Sequence, residues 1–199
     1  MMQLRRDGIT DTRVLAAIES TPRELFVAPN QHANAYANHA LPIACNQTIS
    51  QPTIVAMMTQ ALQVNDRHLV LEIGTGSGYQ AAVLSRLARR GHTIERHKTL
   101  HETACHRFEQ LMLRNITAHL GDGSEGWAHA APYDRIMVTA ATEEIPAALL
   151  TQLRPEGRLV LPLGRDGEVQ QLTVVHREGE TFVRTPMARV QFVPLIAGA

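Results

Sequence analysis

What the chain lacks first is net charge. Its 19 Lys and Arg balance 19 Asp and Glu, so composition offers no broad positive footprint for DNA or RNA and no nucleic-acid partner is expected. It also lacks any apolar run approaching the ~20 residues of a membrane span. The opening Met1-Met2-Gln3-Leu4-Arg5-Arg6 has no apolar core of the kind a signal peptide carries. No membrane partner and a cytoplasmic location are therefore expected. Cysteine is scarce. Cys45 and Cys105 stand far apart in unrelated contexts, which argues against a disulfide framework and for free thiols in a reduced compartment. Internal repeats and low-complexity segments are missing too. What remains is 199 residues, 44% of them hydrophobic, which suits one globular domain over 1–199 with a sizeable core.

Hydrophobic spacing divides that domain at about residue 65. In 1–65 the pattern is helical where it is regular. Val14, Leu15 and Ile18 share a face over 11–19, with Thr10 or Asp11 as cap and Pro22 as stop. Ile54, Met57, Met58 and Leu62 share another face over 53–62, opened by Gln51-Pro52. Residues 29–46, rich in Asn, Ala and His, read as irregular structure with short helical pieces. From 66 onward strand and helix alternate: strands 68–73, 92–96, 116–120 and 134–139, helices 77–89, 99–113 and 146–153. Strand-like runs follow at 157–163, 169–176 and 181–192. Alternation of this kind predicts an α/β, Rossmann-like fold: a mostly parallel twisted sheet with helices on both faces, antiparallel C-terminal strands and an N-terminal helical extension.

The stretch that carries chemistry is Leu69 to Tyr79, a buried strand followed by Gly74-Thr75-Gly76-Ser77-Gly78 and a helix start. Glycines without a Cβ admit positive φ and let a ligand lie on bare backbone. A dinucleotide fold wants G-x-G-x-x-G, whereas here the third glycine falls one place early. Acidic Glu72 at the strand end would repel a pyrophosphate and suits a ligand carrying an ammonium and a sulfonium. That points to S-adenosylmethionine (SAM), with S-adenosylhomocysteine as product. Glu95, ending the next strand, is placed to accept from both ribose hydroxyls. Asp122 and Gly123, after the third strand, fall where the adenine would lie. In open α/β sheets the carboxyl ends of the strands face one crevice, so Glu72, Glu95 and Asp122 converge there. Read alone, Glu72 is equally a strand-end acid and Asp122 a D-G turn.

Further blocks carry a family resemblance. Pro22-Arg23-Glu24-Leu25-Phe26-Val27, then Leu41-Pro42-Ile43 followed by Gln47-Thr48-Ile49-Ser50-Gln51-Pro52, match an early segment and a signature loop. Leu71 to Tyr79, Gly121-Asp122-Gly123 with Gly126-Trp127, Ala131 to Ile136, Thr139-Ala140-Ala141 and Leu153 to Val160 match the later blocks. Over about Arg5 to Leu195 the chain resembles the protein-L-isoaspartate O-methyltransferases. These enzymes repair damaged proteins by methylating the free carboxylate of isoaspartyl residues with SAM. The resemblance implies that Ser50 is the catalytic serine and that Gln47, Thr48 and Ile49 line the cofactor side of the loop. Gly74, Thr75, Gly76, Gly78, Glu72, Glu95, Asp122 and Gly123 would complete the cofactor site. It implies isoaspartyl peptides and damaged proteins as substrates. No metal is expected, because His97, His101 and Cys105 have no evident fourth ligand, and a monomer is expected, because no predicted element is an obvious exposed apolar face. The family usually has glycine where Asn46 and Glu156 stand, a Gly-Tyr pair where Ala44 and Cys45 stand, and strand formers where Gly91 and His92 stand.

A peptide carboxylate with a pKa near ~4 is ionised at neutral pH, so the expected reaction needs no general base. Ser50 is expected to donate to one carboxylate oxygen and leave the other free to attack. On residues alone Ser50 is also an N-cap for the helix opened by Pro52. His97, His101 and Cys105, four apart, read as a solvated helix face, Trp127 as core, and Cys45 as loop packing. The alternatives are a SAM-dependent methyltransferase acting on another peptide carboxylate, a SAM-binding module without turnover, and a nicotinamide oxidoreductase disfavoured by the glycine spacing.

Overall fold

The structure is a computed structural model and describes residues 1–198. Helices α1 (Met2–Arg6), α2 (Thr12–Glu19) and α3 (Pro52–Leu62) form the N-terminal region, with a two-stranded hairpin of β1 (Leu41–Pro42) and β2 (Thr48–Ile49) between the last two. The α/β part follows as β3 (Leu69–Ile73), α4 (Tyr79–Ser85), β4 (Arg90–Glu95), α5 (Lys98–Gln110), β5 (Ile116–Leu120), β6 (Tyr133–Val138), α6 (Ala147–Thr151), β7 (Leu153–Leu163), β8 (Gln170–Glu178) and β9 (Thr181–Val190). Seven strands make one sheet in the order β5-β4-β3-β6-β7-β8-β9. The first five run parallel, and β8 and β9 add antiparallel. The predicted architecture is thus the observed one.

Strand order reverses at β3: the chain moves outward through β4 and β5, then returns to lay β6 on the other side of β3. A crevice opens at such a point, beyond the carboxyl ends of the strands. The central strand has four of its five residues buried, as a parallel strand covered on both faces should. Val70 packs with Met58, Leu62 and Leu84 of α3 and α4, while Leu71 and Ile73 pack with Leu149 of α6 and with Leu159 and Val175.

Several boundaries differ from the predicted ones. The short helix α1 carries no periodic signal. Asp11 caps α2 as expected, its carboxylate accepting from the Arg13 N–H at 2.9 Å. Helix α4 is shorter than 77–89. It starts after Gly78, which holds φ +88° at the N-cap. Beyond its end, the Asn115 amide donates to the carbonyls of Ser85 and Ala88 at 2.9 and 3.1 Å, replacing helix bonds. Strand β4 includes Gly91. A Cβ there would sit 2.5 Å from Ile116 Cδ1, so a larger residue would need the tip of that side chain to shift. Strand β7 begins four residues early and runs through Pro155 and Glu156, the latter at φ +60°.

Candidate active site

The turn after β3 folds back on β4: the N–H groups of Gly74 and Thr75 both donate to the Ile94 carbonyl, at 2.9 and 3.1 Å. Gly74, at φ +93°, has no room for a side chain, since a Cβ would meet Thr139 Oγ1 at 2.5 Å. That hydroxyl donates to the Gly74 carbonyl at 2.7 Å. The tips of β3 and β6 are thereby tied together beside bare backbone. Gly78 serves a different purpose. A Cβ there would lie 2.9 Å from Phe108 Cε1 and 3.3 Å from Ala104 Cβ, so this glycine brings α5 against the start of α4.

The three strand-end acids sit in three environments. Glu95 is buried, and its two oxygens accept from the Gly76 N–H at 2.8 Å and the His97 N–H at 2.9 Å. Each carboxylate oxygen retains a lone pair for a further donor. Asp122 accepts from the Ser124 N–H and hydroxyl, and its other oxygen accepts from the Gly198 N–H at 2.6 Å. Partial burial acts to raise its pKa, but these hydrogen bonds outweigh it and hold the carboxyl below its usual value. Glu72 is 1% exposed. Thr93 donates to one of its oxygens, Thr93 in turn meets Thr75 Oγ1 at 2.6 Å, and the other Glu72 oxygen has no partner. Burial, reinforced by the nearby Glu95 charge, pushes Glu72 up to about 8 despite the Thr93 bond.

Three connected spaces meet here. The first is lined by Gln47, Thr48, Gly74, Gly76, Glu95 and Gly123 among the predicted residues, with Arg96, His97, Thr139 and the 193–196 segment. The second is a cleft of about 690 Å³ running from Ser50 and Gln51 to the end of β9. The third is a recess holding Thr48, Ile49, Ser50, Thr75, Gly76 and Gln80. Thr48 and Thr139 line all three and so mark where they join. Of the predicted set, Glu72, Gly78 and Asp122 line none of them.

Ser50 is half-buried and is not the cap of α3. That position belongs to Gln51, whose own side chain makes no capping bond, and the Asn38 side-chain oxygen accepts from the Thr53 N–H of the first turn at 3.1 Å. With Pro52 at the first helical position, one donor needing a cap is already absent. Among the described residues the Ser50 hydroxyl makes no hydrogen bond, so it faces the cleft uncommitted.

Thr139 belongs to a matching block and carries no signal of its own. Arg96 and His97 carry none beyond following Glu95. Cys45 is exposed at φ +58° rather than packed, and Asn46 beside it holds φ +56°. Trp127 packs against the core and stacks on His119 at 3.8 Å between ring centroids. Among the described residues no group of three His, Cys, Asp or Glu is arranged to hold a metal ion. His101 and Cys105 do meet on α5, at 3.7 Å. A cradle of backbone too tight for Cβ atoms, beside a buried carboxylate with an unpartnered oxygen, fits a cofactor that carries an adenosine and a cationic end.

Comparison with known proteins agrees. The sequence model described as protein-L-isoaspartate(D-aspartate) O-methyltransferase matches residues 1–199. A protein-L-isoaspartate O-methyltransferase of Paramagnetospirillum magneticum is 55% identical over 199 residues, covering 100% of this chain and 93% of the relative. Another from Azorhizobium caulinodans is 52% identical over 198 residues, covering 100% and 91%. A solved protein-L-isoaspartate O-methyltransferase superposes with a TM-score of 0.88 at 28% identity, over 100% of this chain and 64% of its own. In fold alone the chain also matches a Plasmodium falciparum protein solved with S-adenosyl-L-homocysteine, with a TM-score of 0.84 at 20% identity over 99% and 96% of the two chains.

Proposed function

We infer the division of labour at this site from one premise: the chain belongs to the protein-L-isoaspartate(D-aspartate) O-methyltransferase family. It is a protein carboxyl O-methyltransferase that esterifies the free carboxylate of isoaspartyl residues in damaged proteins. The observation that carries the assignment of roles is the uncommitted Ser50 hydroxyl at the junction of cleft and recess.

The first space is the cofactor side. Gln47 and Thr48 close it from the signature loop, the backbone of Gly74 and Gly76 forms its floor, and Ile49 and Thr75 line the adjoining recess. Glu95 accepts from the ribose hydroxyls with its remaining lone pairs, while Gly123 and the Asp122 turn hold the adenine. Gly78 acts behind this floor by setting where α4 begins. Glu72 faces the ammonium end through Thr75 or a water. Bound there, SAM supplies an electrophilic methyl carbon on a sulfonium.

The cleft is the substrate side. Ser50 would donate to one oxygen of the isoaspartyl carboxylate and so aim the other at the opening between Thr48 and Thr139, beyond which the cofactor would supply the methyl group. Ser50 needs no paired base because it does not attack. The carboxylate is already ionised, and among the described residues no His lines the cleft beside Ser50. Both charges vanish as the ester forms, so the apolar wall of Ile54, Phe192, Val193 and Pro194 favours the reaction by excluding water. Residues 1–65 form the substrate-side part of a single domain, with 66–199 as the cofactor-binding core. The cleft is complete within one chain, which fits a monomer, and the exposed thiol of Cys45 suits the reducing cytoplasm.

Methyl transfer from labelled SAM to two peptides differing only in L-isoaspartate against L-aspartate tests the reading. Label on the isoaspartyl peptide alone, lost in mild base, is the expected result. Ser50→Ala should keep SAM affinity and lose about tenfold or more in kcat/KM, the worth of a hydrogen bond to a charged group. Unchanged turnover would remove Ser50 from its role.

A further inference from the structure

The cleft carries a feature that methyl transfer does not need. Among the described residues its only ionisable lining groups are Asp166 and Arg189. Both are exposed, and among the described residues neither makes an ion pair, with the other or with any third group. The walls that hold them are built rather than loose. Gln170, 1% exposed, donates from its amide nitrogen to the carbonyls of Arg165 and Glu168 at 3.1 and 2.8 Å. Its amide oxygen accepts from the Phe192 N–H at 2.8 Å. One buried side chain thus clamps the loop bearing Asp166 to the segment that follows β9. The backbone of Arg189 is fixed from the other side by the ladder, opposite Gln171, whose amide donates to the Ala188 carbonyl at 3.1 Å.

We propose that this wall is a charge-reading subsite in which Arg189 selects isoaspartyl peptides with an acidic side chain next to the damaged residue. The proposal rests on the assignment of the cleft to the peptide. A guanidinium presents a planar fork that matches a carboxylate, and the ordered wall sets where along the cleft that fork is offered. The reacting carboxylate is not its ligand. A cation on that group would stabilise the ion before transfer and lose the interaction as the charge disappears, which slows the step. Neutral Ser50 suits the reacting carboxylate, and Arg189 suits a carboxylate whose charge persists. Asp166, in the same cleft with the opposite sign, repels acidic side chains at its own end and so fixes which neighbour is read.

The test uses isoaspartyl peptides that differ at one neighbour, Glu, Gln or Lys, placed in turn before and after the isoaspartate. They are compared at low salt in the wild type, Arg189→Gln, Arg189→Glu and Asp166→Asn. The readout is the ranking of kcat/KM within each variant, so that any overall loss cancels. In one placement the wild type should favour Glu over Gln by about two- to fivefold, the range of a solvent-exposed ion pair, and the preference should shrink in high salt. Arg189→Gln should level it, Arg189→Glu should invert it toward Lys, and Asp166→Asn should widen it. The same ranking in wild type and Arg189→Glu overturns the subsite while the methylation of all three peptides leaves the cleft assignment standing. Failure of the wild type on every isoaspartyl peptide overturns both.

Discussion

Replacing Glu72 by Gln should stabilise the protein while weakening its hold on the cofactor, and both effects follow from one buried carboxyl. Burial pushes Glu72 up to about 8 from an ordinary 4.5. Below about pH 4.5 both folded and unfolded chains carry the proton, and the group contributes nothing to pH dependence. Between there and pH 8 the unfolded chain releases the proton and the folded chain keeps it, so stability falls by ~1.4 kcal/mol per pH unit. The loss reaches ~3 kcal/mol at pH 7 and ~5 kcal/mol above pH 8, where both states are ionised and the slope ends. A glutamine has no proton to lose. Its amide oxygen can take the Thr93 hydrogen bond, and its NH2 replaces an oxygen that already lacks a partner. Urea unfolding of the ligand-free protein from pH 5 to 9 should show a falling curve for the wild type and a flatter one for Glu72→Gln. The variant should be ahead by up to about 2 kcal/mol at pH 7, once the orphaned N–H groups of its NH2 are allowed for. Parallel curves would refute the reasoning. In SAM titrations wild-type affinity should rise with pH toward 8, as an ionised Glu72 meets the ammonium, and the affinity of the Glu72→Gln variant should be weaker and insensitive to pH.

Other outcomes follow from individual contacts. Glu95→Ala leaves the Gly76 and His97 N–H groups without acceptors and removes the ribose partner. Its SAM Kd should rise about tenfold or more with peptide KM little changed, and an equal SAM Kd by calorimetry would refute the ribose assignment. Glu156→Gly relieves a left-handed φ of +60°, a conformation costing ~1 kcal/mol for a residue with a Cβ, against the loss of a weak exposed contact to His176. Its Tm should rise by about 2 °C, and a lower Tm would contradict the backbone argument. Gly78→Ala places a Cβ against Phe108 at φ +88°, so a loss of ~2 kcal/mol is expected in urea unfolding. No loss would show that α5 yields easily.

What could be read from the residues was what the backbone demands locally. The sheet, its antiparallel end and the glycine turn were legible because strands, tight turns and ligand-facing backbone restrict residue type over a few positions. Asn46 and Glu156 extend the point. Each stands where the resemblance leads one to expect glycine, and each holds a positive φ, +56° and +60°, the conformation that glycine meets most easily. What escaped depends on distant partners. Asn115 ends α4 from 30 residues away, Gln170 ties two walls together across 22, and Thr139 bonds Gly74 across 65. A lone Thr, Gln or Asn has no local pattern that announces such a bond.

Ser50 shows how geometry separates roles that composition leaves joined. A serine ahead of Gln-Pro is a good cap and an equally good carboxylate donor, and a hydroxyl is able to serve both. The chain instead gives the cap position to Gln51 and the first turn to Pro52, which leaves the serine one residue short of the helix with its donor unspent. Around it the acids are arranged in the opposite sense. Glu95 and Asp122 are engaged by backbone N–H groups before any ligand arrives, which keeps them oriented. Only Glu72 is left with an unpartnered oxygen in a dry place. Positioning of a reactive carboxylate calls for one free neutral donor, and binding of a cation calls for one unsatisfied acid. The protein holds one of each: Ser50 lines the cleft, and Glu72 lies buried, linked to the glycine turn through Thr93 and Thr75.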